Sequence, residues 1–355
     1  MRAKTRHGVG GLEDWKPQVS ARPEIITPGV ATDDEPLAAP LARVEMRLRE
    51  VASDAPPPVG EAALHLVAAG GKRVRPRVLL HAARVGSRQN DAVVELAVAA
   101  ELVHNASLLH DDVIDEAPFR RSRPAARVLW GNAHSVLAGD HLMAGAFEVL
   151  ESAGVPGALG SMIATIRRLV AAEVVQLAHR GALLPDERTY YAVVRGKTAA
   201  LFAWCAETGA RASGASPSVS AALASYGEEV GVAFQICDDL LDLSGSQDEL
   251  GKSLLADLQQ GIATLPLVLA ARERPELASA FAATGVAHRA GPGSDPGDLA
   301  RLVKTLAEET GALEAARSRA REHVGRARAA LQPLGDSPAH AVLDSLALGM
   351  LDRTS

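Results

Sequence analysis

Aromatic residues are scarce: Phe, Trp and Tyr together make up 3% of the 355 positions. That excludes the base-stacking platforms by which proteins hold single-stranded nucleic acid. Excess positive charge is lacking too, with a formal net charge of -6 at pH 7, so a binder of the phosphate backbone is disfavoured. The two cysteines, Cys205 and Cys237, lie in apolar stretches. They are too few for a disulfide framework or a zinc site and read as buried thiols of a reducing compartment. No uninterrupted apolar run approaches the roughly 20 residues that span a bilayer. The N-terminal MRAKTRHGVGG is basic, but no apolar segment follows it, as a secretory signal would require. These absences predict a cytoplasmic protein that binds no nucleic acid, and they leave peripheral membrane contact open.

What is present is helical. Hydrophobic residues reach 47%, enough for a sizeable core, and Ala and other helix formers outnumber β-branched runs. Residues 1–36 are polar with scattered Pro and Gly and read as a disordered leader. The core domain is expected over 37–355. The segment APPPVG (55–60) separates two helices, and GGKRVRP (70–76) interrupts another. Long helices are predicted at 91–115, 133–153, 158–180, 187–212 and 217–243. Residues 245–266 and 283–298 read as loops. Three amphipathic helices are expected at about 297–311, 313–332 and 337–350. No strand alternation and no short repeat is found. The fold class is all-α in a single domain.

Two clusters of the form Asp-Asp-x-x-Asp stand on separate apolar helices. Asp111, Asp112 and Asp115 lie in SLLHDDVIDEAPFRR; Asp238, Asp239 and Asp242 lie in GVAFQICDDLLDL. On a helix, positions i and i+4 stack on one face, so Asp111 meets Asp115 and Asp238 meets Asp242. Like charges so stacked repel, and apolar flanks make the burial costlier unless the carboxylates are paired or metal-bound. Oxygen ligands with room for water suit Mg2+ carrying phosphate. The two clusters suggest facing helices across one cavity.

A basic set accompanies them: Lys72, Arg73 and Arg75 in GGKRVRP, Arg120 and Arg121 after the first cluster, Lys197 beside Thr198 in RGKTAA, and Lys252 in LGKS. His104 lies two turns before Asp111 on the same face. Six carboxylates with several cations fit an anionic, metal-chelated substrate, most simply a diphosphate. There is no nucleophile-and-base motif and no Gly-rich nucleotide loop. The diphosphate is therefore expected to be a leaving group whose departing charge the metals stabilise.

In this order the motifs GGKRVRP, LLHDDVIDEAPFRRSRPA, GDHLMAGAFE, RGKTAALF, GVAFQICDDLLDL and GKSLLADLQQGIATLP resemble the trans-isoprenyl diphosphate synthases, the polyprenyl synthetases. The resemblance covers roughly 40–350 and is strongest to long-chain members. It implies an isoprenoid-synthase-type helical bundle around a central cavity, a homodimer, and head-to-tail condensation of isopentenyl diphosphate with an allylic diphosphate. It also implies that Asp111, Asp112 and Asp115 hold two Mg2+, and that Asp238, with Asp239 and Asp242, holds a third. Arg120, Lys197, Lys252 and Gln235 would contact the allylic diphosphate. Lys72, Arg75, His104 and Arg121 would bind isopentenyl diphosphate. Thr198 would stabilise the cation or the leaving group. The family loop GKxxGxDLxxGKxTLP is altered: Leu255 replaces a Gly and Ile262 the second Lys, while Lys252 and Asp257 remain.

Ala106 and Ser107 lie one turn below the first cluster, pointing toward the space of the growing chain. Their small size leaves that space open, the pattern the resemblance associates with long products. The floor would then lie near Met143, Phe147 or Met162. Rival readings are a class I terpene cyclase on the same fold, a short-chain geranylgeranyl-type synthase, one subunit of a two-protein synthase, and a plain metal-binding helical protein. The complete second cluster DDLLD argues for elongation over cyclisation, and the Lys/Arg set argues against mere metal storage.

Overall fold

The structure, a computed structural model, describes residues 35–88, 90–183, 186–244, 256–282 and 304–354. All but the last two positions of the expected leader, together with Lys252 and Leu255, lie outside these residues. The longer helices, numbered in chain order, begin with α1 (Ala38–Ser53), α2 (Val59–Ala68), α3 (Val74–Ala82) and α4 (Ala92–Ile114). A two-residue-by-two-residue hairpin follows, β1 (Phe119–Arg120) against β2 (Arg123–Pro124). Then come α5 (Ala126–Ala153), α6 (Ala158–Ala178), α7 (Glu187–Val194), a π-helical segment (Arg195–Ala199), α8 (Ala200–Ala212) and α9 (Pro217–Ser244). The chain closes with α10 (Leu265–Glu273), α11 (Ala312–Ala330) and α12 (Pro338–Leu348).

The all-α expectation holds, with three local differences. The hairpin escaped notice because its turn residues Arg121 and Ser122 are both left-handed, φ 51° and 58°, without the Gly or Asn that usually marks such a turn. The expected single helix over 187–212 widens into a π turn at Arg195–Ala199. Part of the expected loop at 245–266 is helical: residues 256–259 form one turn, and α10 begins at Leu265.

α4 is the central element. It packs chiefly against α5 and also against α1, α3 and α8. Leu96, Leu102 and Leu109 are fully buried along it. Its length and mean hydropathy alone would suffice to cross a membrane, although Glu95 and Glu101 interrupt its apolar run, and most of that stretch is enclosed by other helices. A second cluster of buried side chains joins α9 to α10 and α11 through Ile236 and Leu240, Leu265 and Val268, and Ala316 and Ala320.

One ion-pair group fastens the entrance to α3. Arg73, 6% exposed, donates to Glu45 on α1 and, at 2.7 Å, to Glu101 on α4. Burial disfavours its charge, but the two carboxylates outweigh that and raise its pKa. Removing one partner of a buried pair strands the other. Arg73→Met is therefore expected to lower the unfolding free energy by about 3–5 kcal/mol, measured by denaturant unfolding. A loss below about 1 kcal/mol, the range of surface pairs, would show that the group contributes no more than a surface ion pair.

Candidate active site

A cavity of about 790 Å³ opens between the C-terminal end of α4, the hairpin, α6, the π segment and α9. Asp111 and Asp115 line it from α4, Arg120 and Arg121 from the hairpin, Lys197 and Thr198 from the π turn, and Gln235 and Asp239 from α9. Residues from both acidic clusters and most of the predicted basic set thus share one space.

Each aspartate of the first cluster faces a cation. Asp112, 1% exposed at its side chain, accepts from Arg120 at 2.6–2.7 Å, while its Oδ2 is buried with no partner. Lys197 Nζ lies 3.7 Å from Asp111 and 2.5 Å from Glu173. Arg180, just past α6, pairs with Asp115. Burial pushes Asp111 up to about 6, against the pull of Lys197, and it raises Asp112 as well. Burial opposes the charge of Lys197, yet Asp111 and Glu173 prevail and raise its pKa.

The π turn explains how Lys197 and Thr198 both reach the cavity. A π bulge widens the helix by one residue and is frequent at functional sites. Gly196 makes it possible here: a Cβ at that position would lie 2.5 Å from the Ala172 Cβ and 3.0 Å from the Arg168 carbonyl oxygen on α6. The absent side chain lets the turn press against α6, where Glu173 meets Lys197.

In the second cluster Asp239 is the hub. Its Oδ2 accepts from the Tyr190 hydroxyl at 2.7 Å and from the Leu265 amide at 3.0 Å. Its Oδ1 accepts from Gln235 Nε2 at 3.0 Å. Gln235 is oriented in turn by Thr198, which donates to its Oε1 at 2.8 Å. Burial, with Asp257 nearby, pushes Asp239 up to about 7 despite these donors. Asp238 and Asp242 are partly buried on α9 and are not among the lining residues.

The remaining predicted residues divide. His104 is partly buried; burial and the neighbouring Arg75, Arg121, Arg73 and Arg120 hold its pKa well below the usual imidazole range, so it stays neutral. Arg75 stacks over Phe202 at 5.0 Å. Arg121 donates to the carbonyls of Leu66 and Gly70. Lys72 is exposed before α3. Ala106 is fully enclosed in the core, and Ser107, partly buried, donates to the His104 carbonyl at 2.8 Å. Neither lines the cavity. Met162 is fully buried, while Met143 and Phe147 are partly so. Ile262 lines the cavity where the family loop has a Lys.

The chemistry of these donors suits a divalent cation: an all-oxygen set, with the Asp112 Oδ2 buried and without a partner, and Asp111, Asp112 and Asp239 all made less acidic by burial. Among the described residues no group of three or more potential ligands is gathered closely enough to hold a metal. Each first-cluster aspartate is instead drawn toward its own cation.

Comparison with known proteins settles the family. The family model for polyprenyl synthetase matches residues 56–289. The chain belongs to the polyprenyl synthetase family. It is 37% identical over 312 residues to the heptaprenyl diphosphate synthase component 2 of Geobacillus stearothermophilus, covering 88% of this chain and 95% of that one. Identity to the octaprenyl diphosphate synthase of Escherichia coli (strain K12) is 35% over 292 residues, covering 81% and 88%. A crystal structure of polyprenyl synthase from Caulobacter crescentus CB15, complexed with calcium and isoprenyl diphosphate, superposes with a TM-score of 0.83 at 36% identity, covering 91% and 97%. As a polyprenyl synthetase the chain is a prenyltransferase with the all-helical isoprenoid-synthase fold.

Tyr190, Glu173, Gln176 and Arg180 were not foreseen. Glu173 left a readable trace, a lone charge in the apolar run LVAAEVVQLA. Tyr190 left none beyond its place on the helix leading to Lys197.

Behind the π turn, Arg195 pairs with Glu228 and, at 3.6 Å, with Glu229. Glu229 also accepts from His323 at 2.6 Å and Arg326 at 2.8 Å. Burial pushes the Glu229 carboxyl up, but these two donors overcome it and bring it down to about 2. A carboxylate depressed in the folded state adds stability above its unfolded pKa and loses it as pH falls through the folded value. Glu229→Gln is expected to lower stability at neutral pH and to flatten its decline between about pH 4.5 and pH 2. Unfolding free energy measured across that window checks this; an unchanged slope would contradict it.

Proposed function

We propose that this prenyltransferase condenses isopentenyl diphosphate with an allylic diphosphate, head to tail, and releases a long-chain all-trans polyprenyl diphosphate. The observation that carries this reading is the convergence of Asp111, Asp115, Lys197, Thr198, Gln235, Arg120 and Arg121 on one cavity. Relatives named for heptaprenyl and octaprenyl products support the long-chain assignment. Asp111, Asp112 and Asp115 would hold two Mg2+, and the second cluster a third through Asp238 and Asp242. Asp239, whose oxygens are engaged by Tyr190, Gln235 and Leu265, would chiefly keep that cluster in place. The bound metal supplies positive charge that takes up the negative charge of the departing diphosphate.

The protein's own groups do the rest. Lys197 and Arg120 turn from their aspartates to the outer oxygens of the allylic diphosphate, joined by Gln235 and Lys252. Its C–O bond breaks, and the electron pair leaves with the diphosphate. Lys72, Arg75 and Arg121, with neutral His104, hold isopentenyl diphosphate so that its double bond faces the allylic cation. That π pair forms the new C–C bond, and a proton passes to the departed diphosphate. Thr198 stands beside the cation, and the enclosing helices keep water from quenching it. The DDLLD form of the second cluster favours this reaction over terpene cyclisation.

The setting we infer is cytoplasmic, with the N-terminal residues 1–36 as a leader to the catalytic domain. A homodimer is supported by exposed apolar side chains on α5 and α6: Val136 and Leu137 on the first, Ile163, Val170 and Val174 on the second.

Incubating the purified chain alone with isopentenyl diphosphate, farnesyl diphosphate and Mg2+ should yield products beyond geranylgeranyl length, and chelator should abolish them. Release of diphosphate without elongation would favour a cyclase, and no turnover would require a partner subunit. Chain-length analysis also tests the role assigned to Ser107. Ser107→Phe places a ring one turn below Asp111 and should shift the products to geranylgeranyl length or shorter; an unchanged product would put the cavity floor elsewhere.

A further inference from the structure

Two of the three cations facing the first cluster, Arg120 and Lys197, already have a part in holding substrate. The third has none. Arg180 lies in the turn after α6 and reaches α4, where it pairs with Asp115 and donates at 3.3 Å to the Ile114 carbonyl. The Asp115 side chain is only 8% exposed and that of Arg180 21%, so water screens this pair little.

We infer that Arg180 is the resident counter-ion of Asp115 and must be displaced before the first cluster takes up a divalent cation. This rests on the prenyltransferase reading of the site. A guanidinium on Asp115 satisfies electrostatically what a metal would satisfy. It holds the carboxylate turned toward the α6 end, and the two cations compete for the same oxygen. Arg180 therefore acts as a positioning residue through Asp115, and it raises the metal concentration at which the cluster loads.

The same turn is tied to the far side of the cavity. Gly181 donates its amide to the Gly261 carbonyl at 2.8 Å. Gly261 has φ +71°, and a Cβ there would lie 2.9 Å from the Gly181 nitrogen, so the two backbones meet with no side chain between them. Residues Asp257, Gln260 and Ile262, which line the cavity from that segment, follow the Arg180 turn. Displacing Arg180 would thus adjust the wall formed after the second cluster as the first cluster loads.

The test is titration of the metal-free full chain with Mn2+, read by electron paramagnetic resonance of the free ion, with and without an unreactive thio-analogue of the allylic diphosphate. Arg180→Gln should bind Mn2+ about two- to fivefold more tightly than the parent when no diphosphate is present, the range expected for losing one competing ion pair. In an Asp115→Asn background, Arg180→Gln should change nothing, which a merely structural role for Arg180 would not predict. Equal affinities of parent and Arg180→Gln, or a difference that survives Asp115→Asn, would overturn the inference. If Arg180→Gln does not fold, Arg180→Lys serves; its shorter arm should give a smaller tightening, and no tightening would again overturn the inference. A parent that binds no Mn2+ even with the analogue present would overturn the prenyltransferase reading itself, and the role of Arg180 with it.

Discussion

Two carboxylates stacked one turn apart inside an apolar helix cannot both stay charged without help, and the irregular features of this protein are arranged around that fact. The stack of Asp111 over Asp115 stands at the end of α4, where leucines and valines occupy much of the surroundings. Each neutralising group arrives from a different place and by a different distortion. Arg120, which pairs with the adjacent Asp112, comes on a hairpin whose turn is left-handed at two non-glycine residues. Lys197 comes on a π turn pressed into α6 by the absence of a side chain at Gly196. Backbone conformations of this kind cost free energy and persist where the surroundings impose them. Here the imposing partner is buried negative charge, and the groups that answer it are those we propose to hold the diphosphate.

The second cluster solves a related problem by another route. Asp239 is neutralised less by cations than by neutral donors: a phenol, an amide side chain and a backbone amide. Those donors belong to α7, α9 and the start of α10, so the carboxylate joins three elements at the cavity wall. Through Gln235 the chain of hydrogen bonds continues to Thr198. A change at Tyr190 is therefore felt at Thr198 beside Lys197, eight residues further along the chain.

Much of this was legible in the sequence. Helix limits were read within a few residues for α6, α9 and α12, because Ala-rich amphipathic runs bounded by Gly and Pro carry their own signals. The aspartate clusters and the basic motifs could be read because spacing on a helix is itself geometry. What escaped depends on contacts between distant segments. RGKTA continues a helical pattern, and only the packing of Gly196 on Ala172 widens it. The hairpin carries no glycine at its turn. The pairing of Arg180 with Asp115 joins residues 65 apart, and no local rule places them together. Engagement of Asp239 by Tyr190 was hidden for the same reason, since a tyrosine on an amphipathic helix reads as core.

The apolar character of α4 has a meaning for biosynthesis as well as for packing. While the chain is being made, α4 emerges as a stretch long and apolar enough to be mistaken for a bilayer span. Its main cover, α5, follows directly after the hairpin, but α8 is completed only some time later. During that interval Glu101, well inside the same helix, makes insertion into lipid costly, because an acidic side chain at mid-helix opposes it by a few kcal/mol. Glu101, which in the finished protein anchors Arg73, thus also marks the emerging helix as one that belongs in water until its partners arrive.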